Sequence, residues 1–299
     1  MPELPDVELY LHALAPRIVG RRLEAVRLAS PFLLRSIEPP LDAVVGQPII
    51  GVRRLGKRIV WELAHQRFVV IHLMIAGRFR WKPAAAPIPA KVGLAAFDFA
   101  NGTLLLTEAG SKRQASLYCV SGAAALAEHD PGGLEPLEAS REDFAHALRR
   151  ENHTVKRLLT DPRLFSGIGN AYSDEILHAA TLSPLKLTAQ MTDAEVERLY
   201  AATQETLRMW RDRLIAETGD AFPEKVTAFR AGMAVHGRYG QPCPVCASPV
   251  QRIRYASNEA NYCASCQTGG RLLADRSLSR LLKDDWPRSL EDLERRMRR

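Results

Sequence analysis

Four of the five cysteines in this 299-residue chain stand as two pairs, Cys243/Cys246 and Cys263/Cys266, with sixteen residues between the pairs. Each pair is a C-x2-C, which can grip one side of an ion, and four thiolates complete a tetrahedron around Zn2+. Such a site has no open coordination position, so one zinc bound there is structural. Redox use of either pair is the alternative, and two matched pairs speak against it. The spacer carries Arg252, Arg254 and Tyr255 and reads as a β-hairpin whose basic residues point toward nucleic acid. Cys119 stands alone in an apolar stretch and reads as a packed small hydrophobe.

Two further segments could do chemistry. The chain begins Met1-Pro2-Glu3. Removal of Met1 would expose a secondary amine on Pro2, and an α-amino group titrates near a pKa of about 8, so a useful fraction is unprotonated at neutral pH. Such an amine can attack an aldehyde-level carbon and form an imine, with Glu3 placed to shuttle protons. An inert N-terminus is the other reading. In GIGNAYSDE a glycine-rich turn delivers Asn170 to the start of a helix, with Asp174 and Glu175 expected in its first turn. Backbone N–H groups at a helix N-terminus suit a phosphate. A tight helix–helix connection that needs glycine for steric reasons fits equally well.

The elements that position these groups follow from periodicity. Val7, Leu11, Leu14 and Ile18 share one face of a helix over 5–19, expected to bend or end near Pro16. After Gly20 the period becomes two, in short β-branched and aromatic runs separated by turn signals such as Leu55-Gly56-Lys57 and Asn101-Gly102. Helical periodicity takes over at Ser140, where Asp143 lies three residues on, and Thr192 with Glu195 reads as a capping box. The expected fold is α+β multidomain. An N-terminal helix plus antiparallel β-sandwich occupies 1–120, a linker 121–136, a helical domain 137–235, a four-cysteine ribbon 236–268 and a basic C-terminal extension 269–299.

With 46% apolar and 25% charged residues the chain is globular rather than disordered or fibrous, and its net charge of +7 makes polyanions the first partners to consider. The longest apolar run, 68–77, is too short to span a bilayer and contains His72. Glu3, Asp6 and Glu8 occupy the place of a signal peptide's basic stretch. The expectation is a soluble, intracellular, cytoplasmic and nucleoid-associated monomer.

PELPDVE at the N-terminus, LGKRI, HLMIAGRFR, GIGNAYSDE and the four-cysteine ribbon occur in one order. In that order they resemble the formamidopyrimidine-DNA glycosylase / endonuclease VIII family over about residues 1–268. The resemblance implies a bifunctional DNA glycosylase/AP lyase that acts on damaged DNA in base excision repair. By the same resemblance Pro2 is the nucleophile at the sugar C1′, Glu3 the acid/base and Lys57 the assistant to strand cleavage. Lys156 and Asn170 hold phosphates from a helix–two-turn–helix, and Cys243, Cys246, Cys263 and Cys266 ligate zinc.

Three departures accompany it. Asn258 stands where the family carries a phosphate-gripping arginine, five residues before the third cysteine, leaving Arg252 or Arg254 to compensate. The loop EAGSKRQASLY offers Lys112 and Arg113 to DNA but no aromatic wedge, so Ile75 is the remaining void-filling side chain. The stretch 217–235 is short for a loop that caps a flipped base. The first two departures keep a second reading open, a DNA-damage binding protein with weak or no base excision. An unrelated zinc-ribbon RNA-binding protein is the third.

Overall fold

The structure is a computed structural model that describes residues 1–110, 112–255, 258–274 and 287–297. It forms two compact units, one of residues 1–133 and 209–228, the other of 134–208 and 229–299.

The first unit opens with α1 (Leu4–Ile18), which buries Leu4, Val7, Tyr10, Leu11, Leu14 and Ile18. The helix runs through Pro16, near its end, where the missing N–H falls beside the exposed residue His12. Eight strands follow: β1 (Ala25–Leu28), β2 (Ile49–Leu55), β3 (Arg58–Leu63), β4 (Arg67–His72), β5 (Gly77–Lys82), β6 (Gly93–Phe99), β7 (Gly102–Glu108) and β8 (Ser116–Ser121). They make two four-stranded antiparallel sheets, ordered β1-β6-β7-β5 and β2-β3-β4-β8. Alternation sends Trp61 and Ile59 of β3 one way and Val60 the other. Trp61 meets Phe97 of β6 edge to face at 4.9 Å. Burying a large apolar side chain of this kind stabilises by about 1.5–3 kcal/mol. Val60 packs with Val70, Val120 and Leu126. Leu126 lies in α2 (Ala123–Ala127), a short helix inside the segment read from sequence as a linker.

Two glycines are demanded by the turns. The β2–β3 hairpin closes Leu55 on Arg58, so its loop is Gly56-Lys57, and Gly56 takes φ +61. The β6–β7 hairpin closes Phe99 on Gly102, so its loop is Ala100-Asn101 rather than Asn101-Gly102. Gly102 is there for another reason: a Cβ on it would lie 2.5 Å from the Trp81 ring.

The second unit holds α3 (Arg141–Arg149), α4 (Val155–Thr160), α5 (Asn170–Ala179) and the N-terminal part of α6 (Asp193–Thr218). Both expected caps are present. Ser140 Oγ accepts from Asp143 N at 3.1 Å, and Thr192 exchanges hydrogen bonds with Glu195. The sequence reading assigned 137–235 to one helical domain, whereas residues 209–228 group with the first unit. There Phe222 packs on Tyr10 and Trp81, and Lys82 pairs with Glu224 at 2.8 Å. At the switch itself the helical period of α6 runs on unbroken to Thr218 and hides it.

The ribbon is β9 (Val250–Tyr255) paired antiparallel with β10 (Asn258–Cys263), followed by α7 (Ala264–Thr268). The extension, read from sequence only as basic, folds back on it in its described parts. Leu272 and Leu273 join Ile253, Tyr262 and Ala264 in one apolar cluster, covered by Leu290 and Leu293 of α8 (Leu290–Met297). Residues 275–286 of the extension lie outside the described residues. Among the described residues no helix is long and apolar enough to cross a membrane.

Candidate nucleic-acid interface and metal centre

In the first unit the start of α1, the β2–β3 turn and β4 bring four groups into one electrostatic neighbourhood. Pro2 is buried and Glu3 is 3% exposed, its N–H donating to Asp6 Oδ2 at 2.9 Å. The α-amino group ahead of them, carried by Met1, has its pKa lowered by burial. Glu3 opposes that shift, Arg78 adds to it, Asp6 opposes it and Lys57 adds to it. Lys57 sits at the tip of its hairpin, and burial lowers its pKa against the pull of Glu3. Among the described residues its ammonium has no hydrogen bond or ion pair.

His72 ends β4 opposite Arg58. Its Nε2 is buried with no hydrogen-bond partner among the described residues. Burial, then the charges of Arg58, Lys57 and the N-terminus, lower its pKa to about 4, so the ring is neutral. Sequence reasoning passed over His72. The available signal was a lone titratable residue interrupting the apolar run RFVVIHLMI.

Next to it, residues 73–77 make a tight turn in which Gly77 N donates to Leu73 O at 2.9 Å. A Cβ at position 77 would lie 2.2 Å from that oxygen. The turn thrusts Ile75 outward, 65% exposed, with Met74 at φ +52. Lys112 and Arg113 are exposed on the β7–β8 connection, where Arg113 Nη2 donates to Lys91 O at 2.8 Å.

The second unit treats its cations differently. Lys156 of α4 donates to Asn170 O at 3.1 Å, Ser173 Oγ at 2.9 Å and Asp174 Oδ1 at 2.5 Å. Asp174, 1% exposed, also meets His236 Nδ1 at 2.8 Å and accepts from Asn261 Nδ2 at 3.4 Å. The GIGN turn ends on Gly169 as N-cap, and Asn170 opens α5 as expected. Its Nδ2, however, donates to Glu259 O of β10 at 2.8 Å. Asp174 and Glu175 fall in the second turn, not the first. Glu175 there accepts the N–H groups of Ala234, Val235 and His236 at 2.6, 2.9 and 2.9 Å. Burial raises its pKa although those three donors oppose the shift. The two carboxylates are therefore internal fasteners, which local sequence could not reveal because, Lys156 apart, their partners lie some 60 to 90 residues away.

The four cysteine sulfurs converge, all within 4.8 Å of one another. Cys243 and Cys266 are 3.9 Å apart, Cys246 and Cys263 3.4 Å. Zn–S bonds of about 2.3 Å give a tetrahedron with sulfur–sulfur edges of roughly 3.8 Å, so the donors fit one zinc. His178 Nε2 lies 3.3 Å from Cys243 Sγ, and Cys266 N donates to Cys263 Sγ at 3.5 Å. On the hairpin, Arg252 and Arg254 both pair with Glu259, at 3.4 and 3.3 Å, and Arg252 lies 4.1 Å over the Tyr239 ring. Asn258 pairs with Tyr255 through the backbone at the head of β10.

Comparison with known proteins decides the family. Residues 1–111 match the formamidopyrimidine-DNA glycosylase N-terminal domain, 133–210 its H2TH domain, and 240–269 the zinc finger found in FPG and IleRS. A formamidopyrimidine-DNA glycosylase of Variovorax paradoxus is 33% identical over 279 residues, covering 89% of this chain and 100% of that protein. The chain belongs to the formamidopyrimidine-DNA glycosylase family. An uncharacterized formamidopyrimidine-DNA glycosylase-like protein of Mycobacterium tuberculosis is 39% identical over 151 residues, half of this chain and 94% of that one. Among solved structures, wild-type Lactococcus lactis FPG in complex with an oxidized pyrimidine containing DNA superposes with a TM-score of 0.77. It has 25% identity and covers 89% of this chain and 100% of that one. The family's zinc finger coincides with the converged sulfurs, and one structural zinc is the cofactor.

Proposed function

We propose that the chain is a bifunctional DNA glycosylase/AP lyase that removes a damaged base and then nicks the strand. As a member of its family it is a DNA repair enzyme whose partner is damaged DNA, acting inside the cell and as a monomer. The observation that carries the finer reading is the desolvated amine end of the chain beside Glu3 and Lys57. Burial favours the neutral form of an amine, here against the pull of Glu3 and Asp6, and the neutral form is the nucleophilic one.

With Met1 removed, the Pro2 nitrogen attacks C1′ of a nucleotide turned out of the stack, and the base leaves. Glu3 opens the sugar ring and transfers protons. The nitrogen's bond to C1′ becomes an imine, which acidifies the C2′ proton. Loss of that proton expels the 3′ phosphate by β-elimination, and a δ-elimination can follow at the 5′ phosphate. Lys57 contributes a charge free to meet a phosphate. Lys156 and Asn170 serve phosphate binding through the turn they brace, joined by Arg252 and Arg254 of the finger, while Ile75, Lys112 and Arg113 meet the duplex.

The test is borohydride trapping on an abasic oligonucleotide followed by peptide mapping. The expected crosslink lies on Pro2, and retaining Met1 or adding an N-terminal tag abolishes it, because the amine becomes an amide. A crosslink on Lys57 or Lys156 overturns the assignment, and no crosslink on single- or double-stranded DNA favours a damage-binding protein.

A further inference from the structure

Glu108 is the last residue of β7 and is 2% exposed. Among the described residues its carboxylate meets no lysine, arginine or histidine, so no ion pair explains its burial. Its partners are backbone amides instead. Gln114 N donates to Oε1 at 3.1 Å and to Oε2 at 2.9 Å, and Ala115 N donates to Oε2 at 3.0 Å. β7 belongs to one sheet and β8, beginning at Ser116, to the other. The segment between them changes sheets, and Glu108 ties the residue entering it to the two residues leaving it.

A buried carboxylate is costly unless its hydrogen bonds are made, so the neck can hold only in the geometry that presents both amides. The strand end it sits on is itself fixed. Glu108 N donates to Val92 O at 2.8 Å, and Glu108 faces Gly77, the closing residue of the turn that projects Ile75. Beyond the neck, Lys112 and Arg113 are exposed. One buried acid therefore sets the register of the connection bearing Lys112 and Arg113 against the turn bearing Ile75.

We propose that Glu108 is a positioning residue that holds the Lys112–Arg113 connection in the shape needed to enter duplex DNA beside the lesion. It therefore governs action on double-stranded substrate and not the chemistry at the sugar. This rests on the reading of Lys112, Arg113 and Ile75 as DNA contacts given above. The physical reason is that an inserted group needs a second strand to displace, whereas a single strand offers its abasic sugar without that step.

The experiment measures kcat and KM for nicking of one abasic oligonucleotide, single-stranded and in duplex, with melting temperatures alongside. The proteins are wild type, Glu108→Ala, Glu108→Gln and the double variant Lys112→Ala/Arg113→Ala. The expected result for Glu108→Ala is a duplex kcat/KM lower by about tenfold, carried mainly by KM, with single-strand nicking within about twofold of wild type. Glu108→Gln keeps one accepting oxygen and the side-chain volume, and should recover part of the duplex activity. Equal losses on both substrates for Glu108→Gln would make the residue merely structural and overturn the proposal, as would an unchanged duplex rate in Glu108→Ala. A double variant that nicks duplex as well as wild type does removes the loop from DNA contact and this proposal with it, leaving the enzyme reading intact. A wild type that nicks neither form overturns the enzyme reading itself.

Discussion

Lys57 in the first unit and Lys156 in the second are both drawn back from water, and the protein treats them in opposite ways. Lys156 is held by a carboxylate, a hydroxyl and a carbonyl, and the carboxylate is shared with His236. Lys57 has burial and the pull of Glu3, and among the described residues nothing to hydrogen-bond. The first arrangement fixes a backbone turn; the second leaves an ammonium with its bonding capacity unspent among the described residues, which suits the phosphate contact proposed for it. Among the described residues the same contrast separates Asp174, which meets three partners, from His72, whose Nε2 has none.

Breaking the brace should have the largest effect. Asp174→Asn leaves the Lys156 charge buried against a neutral amide and should cost about 3–5 kcal/mol of stability, read from chemical denaturation. A loss below about 1 kcal/mol would mean that His236 and Lys156 find water instead. Lys57→Ala should do the reverse, lowering strand nicking by about a hundredfold while leaving the denaturation midpoint unchanged or slightly higher. A destabilised Lys57→Ala protein with normal nicking would erase the distinction between the two lysines.

A smaller effect concerns acid. His72 has a folded-state pKa near 4 against an ordinary value of 6.5, so between those limits the unfolded chain binds more protons than the folded one. Stability must then rise with pH across that window and fall as pH drops through it. His72→Gln should flatten the stability profile between pH 4 and 6.5, and an unchanged slope would show that the ring is protonated in the folded protein. The smallest expected effect is at the finger. Asn258→Arg should tighten DNA binding and steepen its salt dependence by about one counterion. An unchanged slope would indicate that Arg252 or Arg254 leaves Glu259 to occupy that phosphate.

What could be read from sequence was whatever is decided within a few residues. The caps at Ser140 and Thr192, the glycine-first hairpin before Lys57 and the two cysteine pairs announce themselves locally, and each is present. Pro16 is legible in the same way: α1 ends at Ile18, close to where the proline was expected to bend or end it, and the lost hydrogen bond falls in the last turn. The extension misleads because its charge is conspicuous and its leucines are not. Leu272, Leu273, Leu290 and Leu293 find their partners only once the ribbon exists. Glu175 and Asp174 have the spacing of helix-start acids, yet their work is done on residues 234–236 and 261, a relation that no window of sequence contains.

The turn at 73–77 separates what selection can alter from what it cannot. Its closing position admits no side chain, since a Cβ there would overlap Leu73 O, while its outermost residue, Ile75, is 65% exposed. A library randomised at 75 should return folded proteins across many residue types, differing in what they do to DNA, whereas one randomised at 77 should return glycine. The tip is thereby a tunable instrument on a fixed mount, and changes in the side chain it presents can accumulate there without first being compensated elsewhere in the fold.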